Sequence, residues 1–110
     1  MGARFLVVLF ALAVSCYAQA TGRLSGSVTD ASGAAIPRAV VNLQLAGGSK
    51  PVLTTTTTTE GLFAFPSVRP ESYDLTVESK GFLNYTLRGV KVDPAREVSL
   101  PRIQLRIPIR

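Results

Sequence analysis

Apolar and polar residues alternate at a period of two along most of this chain after residue 20. No stretch there convincingly repeats at the 3.6-residue period of an amphipathic helix. In the run YDLTV, for example, Tyr73, Leu75 and Val77 share one face of an extended strand. Gly, Pro, Asp and Ser residues, which favour turns, separate such runs at short intervals. The sequence therefore predicts an all-β domain, a seven-stranded antiparallel β-sandwich.

The first twenty residues of the 110-residue chain have a different character. One cation, Arg4, precedes an apolar run from 5 to 14, and Ala18 and Ala20 form an A-x-A pattern. This is the pattern of a secretory signal peptide. The apolar run is shorter than the about twenty residues that span a bilayer.

We therefore predict a signal peptide over residues 1–20, cleavage after Ala20 and one domain over residues 21–110. A second interpretation stays open, because the residues before Cys16 loosely resemble a bacterial lipobox. In that case Cys16 would be lipidated and become the new N-terminus. Either route implies export, with the domain periplasmic, associated with the outer membrane or secreted.

The stretch GSVTDASGAAIPRAVVNL predicts a turn between two strands. The carboxylate of Asp30 can accept hydrogen bonds from backbone N–H groups two or three residues further on. Gly33 supplies a positive φ, and Pro37 starts the next strand without a ladder donor. Gly61 and Gly81 mark two further turns. Each of these five residues therefore has a structural role at a turn, and Asp30 needs no catalytic one.

The run TTTTTTE, residues 54–60, also predicts a strand. Threonine is β-branched and favours strands, and its hydroxyl suits a solvated face. A uniform run specifies the register of strand pairing only weakly.

These patterns together resemble the carboxypeptidase regulatory-like domain. Its opening, Gly-x-Val-x-Asp-x-x-Gly-x-x-Ile/Leu-Pro-x-Ala-x-Val-x-Leu, coincides with residues 26–43, and later positions of the family's pattern also match. These later positions are Gly61, Phe63, Phe65, Pro70, Tyr73, Leu75, Val77, Gly81 and Phe82. Glu71-Ser72 replaces the usual glycine before the tyrosine. The resemblance implies a transthyretin-like or prealbumin-like sandwich, of the kind found beside carboxypeptidases and at the front of TonB-dependent outer-membrane receptors. The broader fold group includes starch-binding-like domains.

The residues available for chemistry argue against an enzyme. The chain has no histidine, and its one cysteine lies in the predicted signal peptide. The commonest zinc ligands and thiol nucleophiles are therefore missing from the predicted domain. Its seven acidic residues are dispersed along the chain. We expect a non-catalytic module with no metal and no cofactor.

Two kinds of partner remain open. The last segment, RIQLRIPIR, predicts an edge strand. Its outward arginines and Pro108 favour an edge that is guarded against pairing; the alternative is a binding edge, with Arg102, Arg106 and Arg110 as contacts for a protein or an envelope polymer. Carbohydrate is the alternative, with Phe82 and Tyr85 as contacts. Nucleic acid is not expected, because a basic-aromatic platform is missing. The predicted function is protein interaction or structural support in the bacterial envelope, as a module of the kind that precedes TonB-dependent receptors.

Overall fold

The computed structural model describes residues 20–108. The predicted signal peptide up to residue 19, including Cys16, and the predicted contact Arg110 lie outside the described residues. Within them the chain forms eight strands: β1 (Gly22–Thr29), β2 (Val40–Leu45), β3 (Pro51–Thr56), β4 (Leu62–Val68), β5 (Ser72–Glu78), β6 (Tyr85–Lys91), β7 (Glu97–Ser99) and β8 (Ile103–Gln104). Among residues 20–108 there is no helix with the length and apolar character needed to cross a membrane.

The strands form two sheets that pack face to face. In the first sheet, β1 lies between β4 on one side and the short strands β7 and β8 on the other. The second sheet has the order β3-β2-β5-β6, and every pairing in it is antiparallel. β3 is an edge strand of the second sheet and β4 an edge strand of the first, and a short turn joins them.

The core lies between the sheets and follows from the alternation in the sequence. Leu43 of β2 pairs with Leu75 of β5, and both are fully buried. From the facing sheet, Leu24 and Phe65 pair across β1 and β4 and are also buried. Sixteen buried apolar residues form this one cluster, which explains why the domain needs no helix to cover either sheet.

The predicted all-β sandwich is confirmed, with two differences of detail. There are eight strands rather than seven, because Glu97–Ser99 forms a short strand without a clear alternation. The sandwich is not antiparallel throughout, since β7 and β8 both pair with β1 in the parallel direction. Alternation identifies which residues share a face but says nothing about the direction of the partner strand.

The C-terminal segment is less regular than predicted. Ile103 and Leu105 are buried as their alternation requires, but β8 ends at Gln104. Ile107 continues the same alternation and yet is 65% exposed. The extended chain has passed beyond the end of β1 at this point, so no facing strand covers the side chain.

Candidate functional site

The turn between β1 and β2 is organised by Asp30. One carboxylate oxygen of Asp30 accepts hydrogen bonds from the backbone N–H groups of Ser32 (2.9 Å) and Ala34 (3.0 Å). The hydroxyl of Ser32 donates to the same oxygen at 2.7 Å. These bonds lower the pKa of Asp30, with the Ser32 hydroxyl as the largest cause. Gly33 has a φ of +90° and no atom near the place that a Cβ would occupy. The carboxylate is thus occupied in closing its own loop.

The segment around Pro37 differs from the prediction. The second strand begins at Val40 rather than at Pro37, and Arg38 between them has a φ of +58°. The buried hydroxyl of Thr57 donates to the C=O of Ile36 at 2.7 Å and accepts the N–H of Ala39 at 2.9 Å. The strand predicted over residues 54–60 ends at Thr56, and the next threonine of the run, Thr57, holds the Pro37 loop instead. Its two hydrogen bonds fix the register that the run itself leaves open.

Gly61 lies against the same loop, whereas Gly81 does not. A Cβ on Gly61 would lie 2.6 Å from the C=O oxygen of Val28 and 3.1 Å from the Cβ of Ala35. Gly81 has a φ of +88° in the β5–β6 connection, with open space around it. The predicted turn residues are therefore divided between separate turns and do not converge on a binding site.

Asp74 is a buried carboxylate on the face of β5 opposite to that of Tyr73, Leu75 and Val77. Its oxygens accept the backbone N–H of Gly47 at 3.1 Å and that of Gly89 at 3.2 Å, and Arg88 lies 3.8 Å away. The pKa of Asp74 is lowered, first by the bond from Gly47, then by that from Gly89 and, less, by the charge of Arg88. Asp74 thus ties the β2–β3 turn to β6. A glycine within a strand, such as Gly89, signals an irregularity of this kind.

Tyr73, the neighbour of Asp74 near the start of β5, is also held by a hydrogen bond. It is 3% exposed, and its hydroxyl donates to the C=O of Arg69 at 2.7 Å. Burial raises the pKa of Tyr73, and the charge of Glu71 adds to this shift. This tyrosine is a structural group rather than a ligand contact.

Two of the predicted protein contacts, Arg102 and Arg106, and one predicted sugar contact, Tyr85, meet at a single place, which we call the C-terminal surface. It consists of Leu83, Tyr85, Arg102, Arg106 and Ile107. A groove of about 360 Å³ is lined by the first four of these residues, and a neighbouring concavity is lined by Arg106 and Ile107. Leu83 is 50% exposed, and both arginines are exposed. The surface thus combines cationic side chains with apolar ones.

Gln104 lines the same groove, and its side chain is already engaged. Its Nε2 donates to the C=O groups of Asp30 (3.3 Å) and Ala31 (3.2 Å). The N–H of Leu83 donates to the C=O of Arg106 at 2.7 Å. The segment that carries the arginines is therefore fixed to loops on both of its sides.

Phe82 and Tyr85 do not form an exposed aromatic platform. Both are half-buried and pack against the core cluster. Only Tyr85 contributes to the groove of the C-terminal surface. The two aromatic rings can therefore offer at most an edge to a sugar.

A second, larger concavity lies over β1 and along the β3–β4 side. Its volume is about 610 Å³, and most of its lining consists of small or hydroxyl-bearing side chains from β1, β3, β4 and the segment after β7. Between residues 20 and 108, no group of three or more His, Cys, Asp or Glu side chains is arranged to hold a metal ion.

The fold and its turns define a small β-sandwich of the prealbumin-like type. The carboxypeptidase regulatory-like domain family matches residues 23–106, and the chain belongs to this family. The resemblance drawn from the sequence is thereby confirmed. No curated protein matches the chain in sequence.

Solved structures with the same fold belong to proteins of diverse activities. They include 3-chlorocatechol 1,2-dioxygenase from Rhodococcus opacus 1CP, with a TM-score of 0.62, 14% identity and coverage of 83% of this chain and 62% of that one. A proposed carbohydrate-binding protein from Bacteroides uniformis has a TM-score of 0.61 and 15% identity, with coverage of 78% of this chain and 41% of that one. A cohesin–X-dockerin complex from Acetivibrio cellulolyticus has a TM-score of 0.58 and 16% identity, with coverage of 78% of this chain and 58% of that one.

This chain spans less than two thirds of the length of each of these three structures. At identities this low, the likeness establishes the fold alone.

Proposed function

We propose that this chain is a non-catalytic interaction module that binds an acidic, extended segment of a partner protein through its C-terminal surface. Membership of a regulatory-like domain family supports a module rather than an enzyme. The observation that carries the proposal is the pair of exposed guanidinium groups, Arg102 and Arg106, along one groove.

The charges of this pair are available to a partner. Among residues 20–108, Arg23 and Arg88 have a carboxylate within 4.0 Å, whereas Arg102 and Arg106 do not. Four residues of extended chain span about 13 Å. Two acidic residues at the same spacing on an extended partner can therefore meet both cations, while Leu83 and Tyr85 contact an apolar residue between them.

Side chains rather than backbone carry this binding. β8 has only two residues, and the C=O of Arg106 accepts the N–H of Leu83. An added strand would find few free backbone groups here, whereas the sequence predicted an edge strand over residues 102–110. Binding through exposed charges is screened by salt, with a Debye length of about 8 Å at about 0.15 M.

The proposal is tested with a valine–glutamate peptide of about nine residues, which has two glutamates four residues apart, valine midway between them and serine elsewhere. In an extended strand these three side chains lie on one face. Binding is measured by fluorescence anisotropy. The parent protein should bind this peptide, lose affinity as salt rises and not bind a valine–lysine peptide. The double variant Arg102→Glu/Arg106→Glu should lose binding.

The control Arg69→Glu/Lys80→Glu changes the net charge by the same amount at exposed positions elsewhere. If the control loses as much affinity as the test variant, net charge and not the C-terminal surface accounts for binding. If the parent protein does not bind the peptide at all, the proposal fails.

Carbohydrate is the second candidate ligand, and the position of Tyr85 in the groove favours it. The Bacteroides uniformis structure supports it only at the level of the fold. The test is binding to a glycan array. If Tyr85→Ala abolishes this binding and Arg102→Glu/Arg106→Glu leaves it intact, the ligand is a sugar and not an acidic segment.

The proposal includes export to a bacterial envelope, on the basis of the apolar run and the A-x-A pattern in residues 1–20. A role at the front of a TonB-dependent receptor rests on the family resemblance. The intact mass of protein recovered from an envelope fraction should correspond to a chain that starts at Thr21. A lipidated chain starting at Cys16 would identify the lipoprotein route instead, and a full-length chain in the cytoplasm would exclude both.

A further inference from the structure

Charge is distributed unevenly among the sheet edges. From residue 51 to residue 68 the only charged residue is Glu60, and this stretch contains both β3 and β4. By contrast, the edge strand β6 carries Arg88 and Lys91. Charged residues on an edge strand guard it against pairing with another chain. The side of the sandwich formed by β3 and β4 lacks this protection.

Of these two edges, β3 is the more open. Pro66 lies in the interior of β4 and has no N–H to donate to a new strand, whereas Pro51, the proline of β3, is only its first residue. Just after β3, the N–H of Thr57 donates to the C=O of Ala39, in the direction of β2. Backbone direction alternates along an antiparallel ladder, so Thr55 also faces β2. Thr54 and Thr56 therefore turn their N–H and C=O groups toward the open edge.

We propose that β3 pairs antiparallel with β3 of a second copy of this chain and joins the two β3-β2-β5-β6 sheets into one continuous sheet. With the two-fold axis at Thr55, Thr54 of each copy pairs with Thr56 of the other. All the edge-facing backbone groups of these two residues are then satisfied. Threonine opposite threonine is a favourable cross-strand pair, and the uniform run makes the edge complementary to itself.

Charge favours a second copy at this edge and disfavours it at β6. The chain has a net charge of +5, so two copies repel each other where arginine and lysine line an edge. The proposed register brings Lys50 of one copy and Glu60 of the other, both exposed, to the same end of the strand pair. Two opposite-charge contacts then flank the uncharged strands.

The dimer has a consequence for the C-terminal surface. β8 lies on the side of β1 that is opposite to β4, whereas β3 is the edge next to β4. Pairing through β3 therefore leaves the C-terminal surface of each copy exposed. Two such surfaces on one particle would raise the apparent affinity for a partner with two acidic segments.

Sedimentation velocity of the purified protein over a range of concentrations tests the proposal. The parent chain should form a dimer. Thr54→Pro should yield a monomer, because it removes an N–H that faces the open edge and no backbone bond to β2. It also removes the hydrogen bond that the Thr54 hydroxyl donates to Oδ1 of Asn42 at 2.8 Å, which the control Thr54→Val loses as well. The matched control Thr54→Val keeps the backbone donor and should remain a dimer. Thr56→Lys should also be monomeric, through like charges at the edge, and it serves if Thr54→Pro fails to fold by circular dichroism.

Cysteine cross-linking tests the register in a Cys16→Ser background, where no native cysteine remains. Thr55 faces Thr55 of the other copy in a non-hydrogen-bonded pair, with Cα atoms about 4.5 Å apart, which suits a disulfide. Thr55→Cys should therefore cross-link under mild oxidation, whereas Thr59→Cys should not. A parent chain that stays monomeric at every concentration overturns the proposal and leaves the edge to a strand of another protein. A dimer that resists both Thr54→Pro and Thr56→Lys, or in which Thr55→Cys does not cross-link, overturns it as well.

Discussion

Replacing Gly61 by alanine tests the packing at the junction of β1, the Pro37 loop and the β3–β4 turn. Gly61 has a φ of +75°, and an added Cβ would lie 2.6 Å from the C=O oxygen of Val28. That oxygen accepts the N–H of Ile36 at 3.1 Å, while the N–H of Val28 donates to Gly61 at 2.8 Å. The Cβ would thus meet backbone that hydrogen bonds already hold in place.

The magnitude follows from three contributions. A left-handed conformation costs alanine about 1–2 kcal/mol. Overpacking of a site that cannot move adds about 1–3 kcal/mol, and the loss of one neighbouring hydrogen bond adds about 1 kcal/mol. The sum, about 3–6 kcal/mol, is a large share of the about 5–10 kcal/mol of stability expected for a domain of this size.

Gly33→Ala is the matched control. Its φ is also positive, but nothing lies within 4 Å of the added Cβ. The same replacement changes the entropy of the unfolded chain equally at both sites, so that effect cancels in the comparison. Gly61→Ala should therefore be less stable than Gly33→Ala by about 2–4 kcal/mol in urea unfolding. In a thermal melt this difference corresponds to at least about 10 °C. Equal stabilities for the two variants would refute the close packing of Gly61 against Val28.

Three further changes probe the groups that hold the turns. Thr57→Val should lower the free energy of unfolding by about 1–3 kcal/mol, because it leaves the C=O of Ile36 and the N–H of Ala39 without their buried partner. Thr59→Val, at an exposed position, should not change it, and equal effects in urea unfolding would contradict this role. Tyr73→Phe should cost about 1 kcal/mol by removing the bond to the C=O of Arg69, and an unchanged melting temperature would contradict it. Asp74→Asn should destabilise the protein at neutral pH. Because the pKa of Asp74 is lowered on folding, its stabilising effect is present above the unfolded-state pKa and is lost as the pH falls through the folded-state value. The difference in the free energy of unfolding between the parent and Asp74→Asn should thus shrink in acid. The control Asp93→Asn, which removes an exposed carboxylate, should follow the parent. A difference that stays constant with pH would mean that the charge of Asp74 is not the cause.

The fold class could be predicted because burial in a sandwich repeats at the period that the sequence shows. Leu24, Leu43 and Leu75 are fully buried, as the alternation indicates. The direction of β7 and β8 could not be predicted, because a strand alternates equally in a parallel and in an antiparallel pair. The exposure of Ile107 depends on where β1 ends, which alternation within the last segment cannot indicate.

The polar groups were harder to predict than the core. Asp30 could be assigned to its turn because its hydrogen-bond partners lie within four residues along the chain. Asp74 and Thr57 have partners far away in sequence, so only the assembled fold brings them together. The C-terminal surface depends in the same way on the meeting of the β5–β6 connection with the last strand.

The central proposal is that Arg102 and Arg106 bind an acidic extended segment, and an NMR titration tests it most directly. Amide chemical shifts of the ¹⁵N-labelled protein are followed while the valine–glutamate peptide is added. The largest shifts should fall on Leu83, Gln104 and Arg106, and they should disappear at about 0.5 M salt, where exposed charges are strongly screened. Shifts that cluster instead around Ser25 and Thr55 in the larger concavity, or no shifts at all, would contradict the proposed function.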